Sequence, residues 1–334
     1  MTIYDIAKLA GVSTATVSRV VNNAGNVSEK TRQKVLAVIR EANYTPSVFA
    51  RGMGTRSMRT VGLLVSNISH PFMASAVSML QKPLHDHGYD CILSCTGSEQ
   101  NDKLEHTRRL LAKSIDALIY VGSRYEDPTS TDVEPDYVAE AAARVPVFFV
   151  NGRAPGENVF CTYGNDFEIS REVTRRFIAQ GRTQVLFLAD SPTYCMLRRL
   201  RGYEAALEDA GIGADGRLEV FTKIDAHYVR DMLLERDLAF DAVLASEDDM
   251  GIGAVKYAQA KGLSVPGDLA VCGFNNTPLA ESCTPELTSV DNRLADQCRI
   301  TVDNLLMALE GNREGILRDT KLAAQLVLRE TTDF

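Results

Sequence analysis

Between residues 13 and 19 the chain places Ser13, Thr14, Ala15, Thr16, Ser18 and Arg19, a run of hydroxyls closed by a guanidinium. Short hydroxyl side chains at the start of a helix can donate to phosphate oxygens, helped by the positive helix N-terminus. Ser13, Thr16 and Ser18 suit that task. An arginine fork matches the O6 and N7 edge of guanine, a contact worth about 1–3 kcal/mol of base discrimination. Arg19 has that fork. Thr14 and Ala15 stand where direct readout is expected, Ala15 offering only apolar contact, for example to a thymine methyl. The chemistry implied is the reading of double-stranded DNA.

These side chains need a scaffold. Tyr4–Ala10 has Ile6, Leu9 and Ala10 at helical spacing and predicts a first helix with those three inward. Gly11 supplies a residue tolerant of positive φ at the helix end. Val12 can plug a small core, and Ser13 caps a second helix through Val21. Turn residues fill 22–26. Ser28 caps a third helix, Glu29 to Ala42, with Val35, Val38 and Ile39 on one face. Helix, glycine turn and polar-nosed second helix make a helix-turn-helix, whose recognition helix enters the major groove.

Charge agrees with this division. Of 334 residues, the first 60 carry nine Lys/Arg against three Asp/Glu, leaving 27 against 41 for the rest. A basic head on an acidic body suggests that only the head meets a polyanion. Residues 47–59 (SVFARGMGTRSMR) are basic, contain two glycines and lack core-forming residues, so they read as a hinge.

From Thr60 short apolar strands alternate with helix-length stretches. Strands are expected at Val61–Val65, Asp90–Ser94, Ala117–Val121, Val147–Val150, Val185–Leu188, Ala242–Ala245 and Leu269–Gly273. Helices are expected at Ala74–His87, Asn101–Lys113 and Asp166–Gln180. That pattern predicts parallel sheets covered on both faces, and about 270 residues of it predict two lobes. The fold class is therefore an all-α helix-turn-helix head plus an α/β body of two doubly wound parallel-sheet lobes.

Other chemistries find little support. Seven cysteines are scattered without a C-x-x-C pair, and His70, His85, His87, His106 and His227 show no metal spacing. The Gly251-Ile252-Gly253 pair lacks the layout of a dinucleotide fingerprint. No P-loop or G-x-S-x-G is present. No cofactor, metal or catalytic set is expected. No apolar run reaches about 18 residues, and the N-terminus has no export pattern, which points to the cytoplasm. A solute-binding protein for transport would suit the body but needs an export signal and has no use for residues 1–59.

The words YDIAKLAGVSTATVSRVVNN, VSEKTRQKVLAVIREANYTPS, GLLVSNISHPF, LRGYEAALEDAG, GLSVPGDLAVCGFNN and PELTSV, in this order, resemble the lactose-repressor/galactose-repressor family over nearly the whole chain. The resemblance implies a transcription regulator, commonly a repressor. It would bind a pseudo-palindromic operator as a homodimer under control of a small-molecule effector. The body would be similar to periplasmic sugar-binding proteins, with the effector between the lobes. The chain up to Phe334 carries no extra heptad helix, which favours a dimer over a tetramer.

By position, Tyr4, Ser13, Ser18, Asn22, Asn26, Ser28 and Thr31 match phosphate-contacting or positioning sites, and Thr14, Ala15 and Arg19 match base-reading sites. Residues 47–55 match a hinge helix that folds on DNA and inserts apolar side chains into the minor groove, here Ala50 and Met53, the latter usually leucine. Gly52 and Gly54 each weaken such a helix by about 1 kcal/mol relative to alanine. The implied domains are a head at 1–46, a hinge at 47–59, and a body at 60–334. Its N-lobe would span about 60–159 plus 291–318, its C-lobe about 160–290 plus 319–334.

The implied effector positions are Phe72, which would stack on the ligand, Ser123, Arg124, Asn151, Arg199, Glu247, Asp248 and Asn275. The family commonly has aspartate where Asn151 and Asn275 stand. With Arg124, Arg153, Arg198 and Arg199 in the same motifs, that departure raises an anionic sugar derivative beside a neutral sugar as the effector.

Overall fold

The computed structural model describes residues 1–21, 27–44, 57–97, 100–122, 136–213, 216–236 and 238–334. Asn22, Asn26, Ala50, Met53, Ser123 and Arg124, and most of the expected hinge, lie outside the described residues.

The head consists of α1 (Ile3–Ala10), α2 (Thr14–Val21) and α3 (Glu29–Glu41). A capping box starts α1: Thr2 N donates to Asp5 Oδ2 (2.8 Å) and Asp5 N to Thr2 Oγ1 (3.4 Å). Gly11 ends it at φ +60°, as its sequence position predicts. Ile6, Ala7, Ala10, Val17, Val20 and Val35 form the core, with Val12, Val38 and Ile39 packed against it. Leu9 corrects the expected inward set, being 60% exposed. Ala7, one residue on from Ile6, takes the inward place, because residues 6, 7 and 10 share one helical face.

The hinge boundary also shifts. Met58 N and Thr60 N both donate to the Asp116 carboxylate (3.2 and 2.8 Å), and the Arg59 guanidinium lies over the Tyr89 ring. Residues 57–59 therefore belong to the body.

The body contains two six-stranded sheets. The first has the order β11-β5-β4-β3-β1-β2, formed by β1 (Thr60–Val65), β2 (Asp90–Cys95), β3 (Ala117–Val121), β4 (Val147–Val150), β5 (Val159–Gly164) and β11 (Asp319–Leu322). The second has the order β12-β10-β9-β8-β6-β7, from β6 (Val185–Ala189), β7 (Leu218–Phe221), β8 (Ala242–Ala245), β9 (Ala270–Phe274), β10 (Thr288–Asp291) and β12 (Gln325–Val327). Only β10–β12 pairs antiparallel among the described strands. β1, β3, β4, β6, β8 and β9 are buried throughout, as sheets covered on both faces require. The covering helices are α4 (Pro71–Asp86), α5 (Gln100–Leu111), α6 (Tyr137–Ala142) and α12 (Leu294–Leu309) on the first sheet. On the second they are α7 (Asp166–Ala179), α8 (Tyr194–Asp209), α9 (Ala226–Glu235), α10 (Asp248–Lys261) and α11 (Pro278–Ser282).

The chain changes lobe three times, between β5 and α7, between β10 and α12, and between β11 and β12. These points correct the expected lobe boundaries. Residues 160–164 and 319–322 belong to the first lobe, because β5 pairs with β4, and β11 pairs with β5. Strand pairing, invisible in a single strand's composition, decides which lobe owns them.

Candidate functional site

The first candidate site is the outward face of α2. Val17 and Val20 face the core, so the opposite side of the helix is open. Ala15 and Arg19 are exposed, and Thr14, Thr16 and Ser18 are half-buried. Residues 15, 18 and 19 fall within one turn and share a face. The hydroxyls at the nose are partly engaged: Ser13 Oγ lies 2.9 Å from Thr16 Oγ1 and accepts from Thr16 N (3.2 Å). The start of α3 repeats the device, with Ser28 Oγ 2.9 Å from Thr31 Oγ1 and accepting from Thr31 N. Ser13 and Ser28 thus cap their helices first, and each of the four hydroxyls retains further hydrogen-bonding capacity. Tyr4 is 73% exposed on α1, with its ring outside the head core.

The second candidate site is a cleft of about 370 Å³ between the lobes, at the carboxyl ends of β1, β3, β4, β6, β8 and β9. Of the expected positions, Phe72, Asn151, Arg199, Glu247 and Asn275 line it. Phe72 is largely sunk into the core of the first lobe, at 4% exposure. The aromatic wall is completed by Tyr120, Tyr137 and Phe149; Tyr120 stacks on Phe149 at 5.0 Å between centroids. In sequence Tyr120 and Phe149 read as core residues of apolar strands, and Tyr137, the first residue of α6, carries no motif.

Asp248 does not line the cleft, which corrects its expected role. Its Oδ2 accepts from Thr277 N (2.6 Å) and Thr277 Oγ1 (2.8 Å), and its Oδ1 from Ser289 Oγ (2.5 Å). It ties α10 to β10 and the residue before α11, and burial pushes its carboxyl up to about 6. One residue on, Asp249 turns into the cleft, joined there by Asp190 and His70. Asp190 follows β6 as Asn151 follows β4, so the rule that ligands gather at strand ends would have found it.

Arg199 is 3% exposed and already engaged. Its Nε donates to Asp166 Oδ1 (2.8 Å), its Nη1 to the Ser246 carbonyl (2.7 Å), and its guanidinium stacks on Phe274 at 3.9 Å. Arg153 pairs with Asp319 on the surface, and Arg198 lies over Phe167. Neither lines the cleft, so the arginine cluster that suggested an anionic ligand is not assembled there among the described residues.

Both asparagines take left-handed backbone, and the amide at Asn275 has a local cause. Asn151 and Asn275 have φ of +56° and +89°, a region asparagine enters more readily than most side chains. Asn275 Nδ2 donates to Glu247 Oε2 (2.5 Å), where an aspartate would set two carboxylates face to face. Asn292 Nδ2 donates to Asn275 Oδ1 (2.7 Å), Gln297 Nε2 to the Asn292 carbonyl (2.7 Å), and Asn151 N to Gln297 Oε1 (2.8 Å). This amide relay runs along one crossover from Glu247 in one lobe to Asn151 in the other.

Across the cleft, His70 Nε2 stands 3.5 Å from Glu247 Oε2. Burial lowers the imidazole's pKa, with Asp249 and Asp190 pulling the other way. Burial also drives the Glu247 carboxyl well above the carboxylate range, with Arg199 opposing and Asp190 reinforcing. Among the described residues no group of three or more His, Cys, Asp or Glu is placed to hold a metal, and no helix is long and apolar enough to cross a membrane.

Residues 2–47 match the family described as "Bacterial regulatory proteins, lacI family", and residues 174–332 match the "Periplasmic binding protein-like domain". The chain is 39% identical to an HTH-type transcriptional regulator of Lachnoclostridium phytofermentans, covering 100% of both chains. It is 31% identical to the HTH-type transcriptional regulator DegA of Bacillus subtilis, covering 86% of each. Its fold matches the structure of the lac repressor dimer bound to operator and the anti-inducer ONPF, with a TM-score of 0.83 at 26% identity over 99% of this chain and 98% of that one. It also matches the transcriptional regulator CelR–cellobiose complex, with a TM-score of 0.69 at 28% identity over 99% and 100%.

Proposed function

We propose, from the premise that this chain belongs to the lacI family of bacterial regulatory proteins, that it is a repressor that binds a two-fold symmetric operator as a homodimer and is controlled by a small molecule held between its lobes. The observation that carries the reading is the open face of α2, where Arg19 and Ala15 project away from a head core closed by Val17 and Val20. Arg19 would read guanine, Thr14 and Ala15 the neighbouring edges, and Tyr4, Ser13, Thr16, Ser18, Ser28 and Thr31 would position the head on phosphates. Asn22 and Asn26 would extend the phosphate contacts, and Ala50 and Met53 would enter the minor groove.

A second copy of the chain is supported by the outer sheet edges. β2 and β7 each end a sheet, and nearby Met79, Leu93, Phe221 and Tyr228 are 40–48% exposed. Apolar side chains beside an open strand edge suit burial against a partner. For the effector, an aromatic wall facing carboxylates and amides suits a polyhydroxylated ring, whose hydroxyls donate to Asp190, Glu247 and Asp249 while its apolar face meets Tyr120 or Phe72. The effector acts through linkage. It shifts operator affinity by its differential affinity for lobe arrangements, typically about 1–3 kcal/mol.

Selection of bound duplexes from randomised DNA with the full chain tests this reading. The expected result is enrichment of a two-fold symmetric sequence. Arg19→Ala should lower affinity for it by about tenfold or more and relax preference at one base pair per half-site, as loss of a contact worth about 1–3 kcal/mol requires. Absence of any enriched sequence, or an equal loss on random duplex, overturns it.

A further inference from the structure

We infer that the cleft is built for an effector carrying an aliphatic ammonium group, an amino sugar or related polyol amine, with the ammonium seated among Asp190, Glu247 and Asp249. This rests on the reading of the cleft as the effector site and narrows its ligand class.

The charge inventory of the wall is uneven. Three carboxylates line the cavity, and the lysine and arginine among its described lining are Lys103 and Arg199. Arg199's charge is matched by Asp166, which is 3% exposed and outside the lining, and its Nη1 is held by the Ser246 carbonyl. Lys103 stands on α5, in the opposite lobe. The carboxylates come from the second lobe: Asp190 at the end of β6, Glu247 after β8 and Asp249 in the first turn of α10. Asp249 alone could be an ordinary first-turn acid favoured by the helix dipole. Glu247 is the N-cap residue of the same helix and shares that account, whereas Asp190, at the end of β6, does not.

Hydrogen-bond supply is uneven in the same direction. Glu247 accepts from Asn275, and Asp190 from Ser191 Oγ (2.8 Å). A carboxyl group keeps acceptor capacity beyond one such bond in either protonation state, so capacity remains. Neither ring nitrogen of His70 has a hydrogen-bond partner, and its Nε2 points at Glu247. Asp249 and Asp190 line the same cavity as His70 and Glu247, and both act on that imidazole. With burial keeping the imidazole's pKa low, its neutral form offers a lone pair there and not a compensating charge. An ammonium brings three donors, no acceptor and one positive charge. The acid group of a sugar acid or phosphate would bring only acceptors to a wall already rich in them.

The test uses the full chain and matched trios of each hexose and pentose in amino, hydroxyl and acid forms (glucosamine, glucose and glucuronate, for instance), together with linear polyol amines. Thermal shift finds binders and calorimetry ranks them. At least one amino member should bind tenfold or more tightly than its hydroxyl counterpart. That preference should fall towards unity in Asp249→Asn and in Asp190→Asn, variants whose ligand-free melting temperature reports folding separately. An amine preference that survives both substitutions, or no amine preference anywhere in the panel, overturns the inference. In the latter case binding by neutral or acidic members leaves the effector-cleft reading standing, and silence from every member counts against both.

Discussion

Asp248 and Asp249 are adjacent in sequence and opposite in role, because successive residues on a helix point about 100° apart. Asp248 is 1% exposed and held by Thr277 and Ser289, yet burial keeps its pKa near 6 against an ordinary 3.8. The native state thus retains a proton that the unfolded chain releases. Stability from this group is fully present below about 3.8 and is lost as pH rises through about 6. Between pH 4 and 7 the wild-type chain should lose on the order of 2–3 kcal/mol relative to Asp248→Asn, measured by urea unfolding at each pH. Parallel pH profiles for the two proteins would contradict this. The pair also shows what the sequence could reveal. The motif around residues 247–249 located the cleft's rim, but which carboxylate faces in depends on Thr277 and Ser289, 29 and 41 residues away. Arg199 was legible as a cleft residue, whereas Asp166, which engages it, lies 33 residues upstream in a stretch read as helix.

At the scale of elements, α7 and α8 pack closely enough that Gly202 has no room for a side chain. A Cβ there would meet the Phe167 carbonyl oxygen, with Arg171 N and Ser170 Cβ each 3.0 Å away. The obstacle is largely backbone and cannot rotate aside. Gly202→Ala should therefore destabilise the body by about 1–3 kcal/mol through overpacking, despite alanine's better helix propensity. Gly213→Ala, where a Cβ would meet open space, is the control. Thermal unfolding of both variants decides it, equal melting temperatures being the adverse result. The elements read correctly from sequence were the apolar ones. β11 (Asp319–Leu322) went unread because one of its four residues is apolar, and β7 (Leu218–Phe221) because four residues, with Val220 alone buried, are too few to show a period. β10, Thr-Ser-Val-Asp, is buried at three of four positions, but its hydroxyls are matched by Thr332 and Asp248, and its Thr288 N–H by Thr331 Oγ1, from distant parts of the chain.

For the whole molecule, the charge asymmetry separates two binding events by their response to salt. The first 60 residues hold nine basic against three acidic side chains, and the remainder 27 against 41. Operator affinity should fall steeply and linearly on a logarithmic plot of salt concentration, as released counterions demand. Binding of a cleft ligand should show a much shallower slope, since its charges are buried and weakly screened. Anisotropy titrations on DNA and calorimetry on the cleft, each at four salt concentrations, would give both slopes; similar steepness would undo the division of labour between head and body. The two-lobed architecture was legible from alternating strands and helices. The points of exchange between lobes were not, because β5 and β11 join the first sheet by pairing with strands that are remote or separated by a turn. That late exchange has a consequence for biosynthesis. β11 and β12 border the two sheets and are the last strands in the chain. Until residues 319–327 leave the ribosome, β5 and β10 remain open edges of unfinished sheets, sites where one nascent polypeptide can pair with another or be shielded by a chaperone.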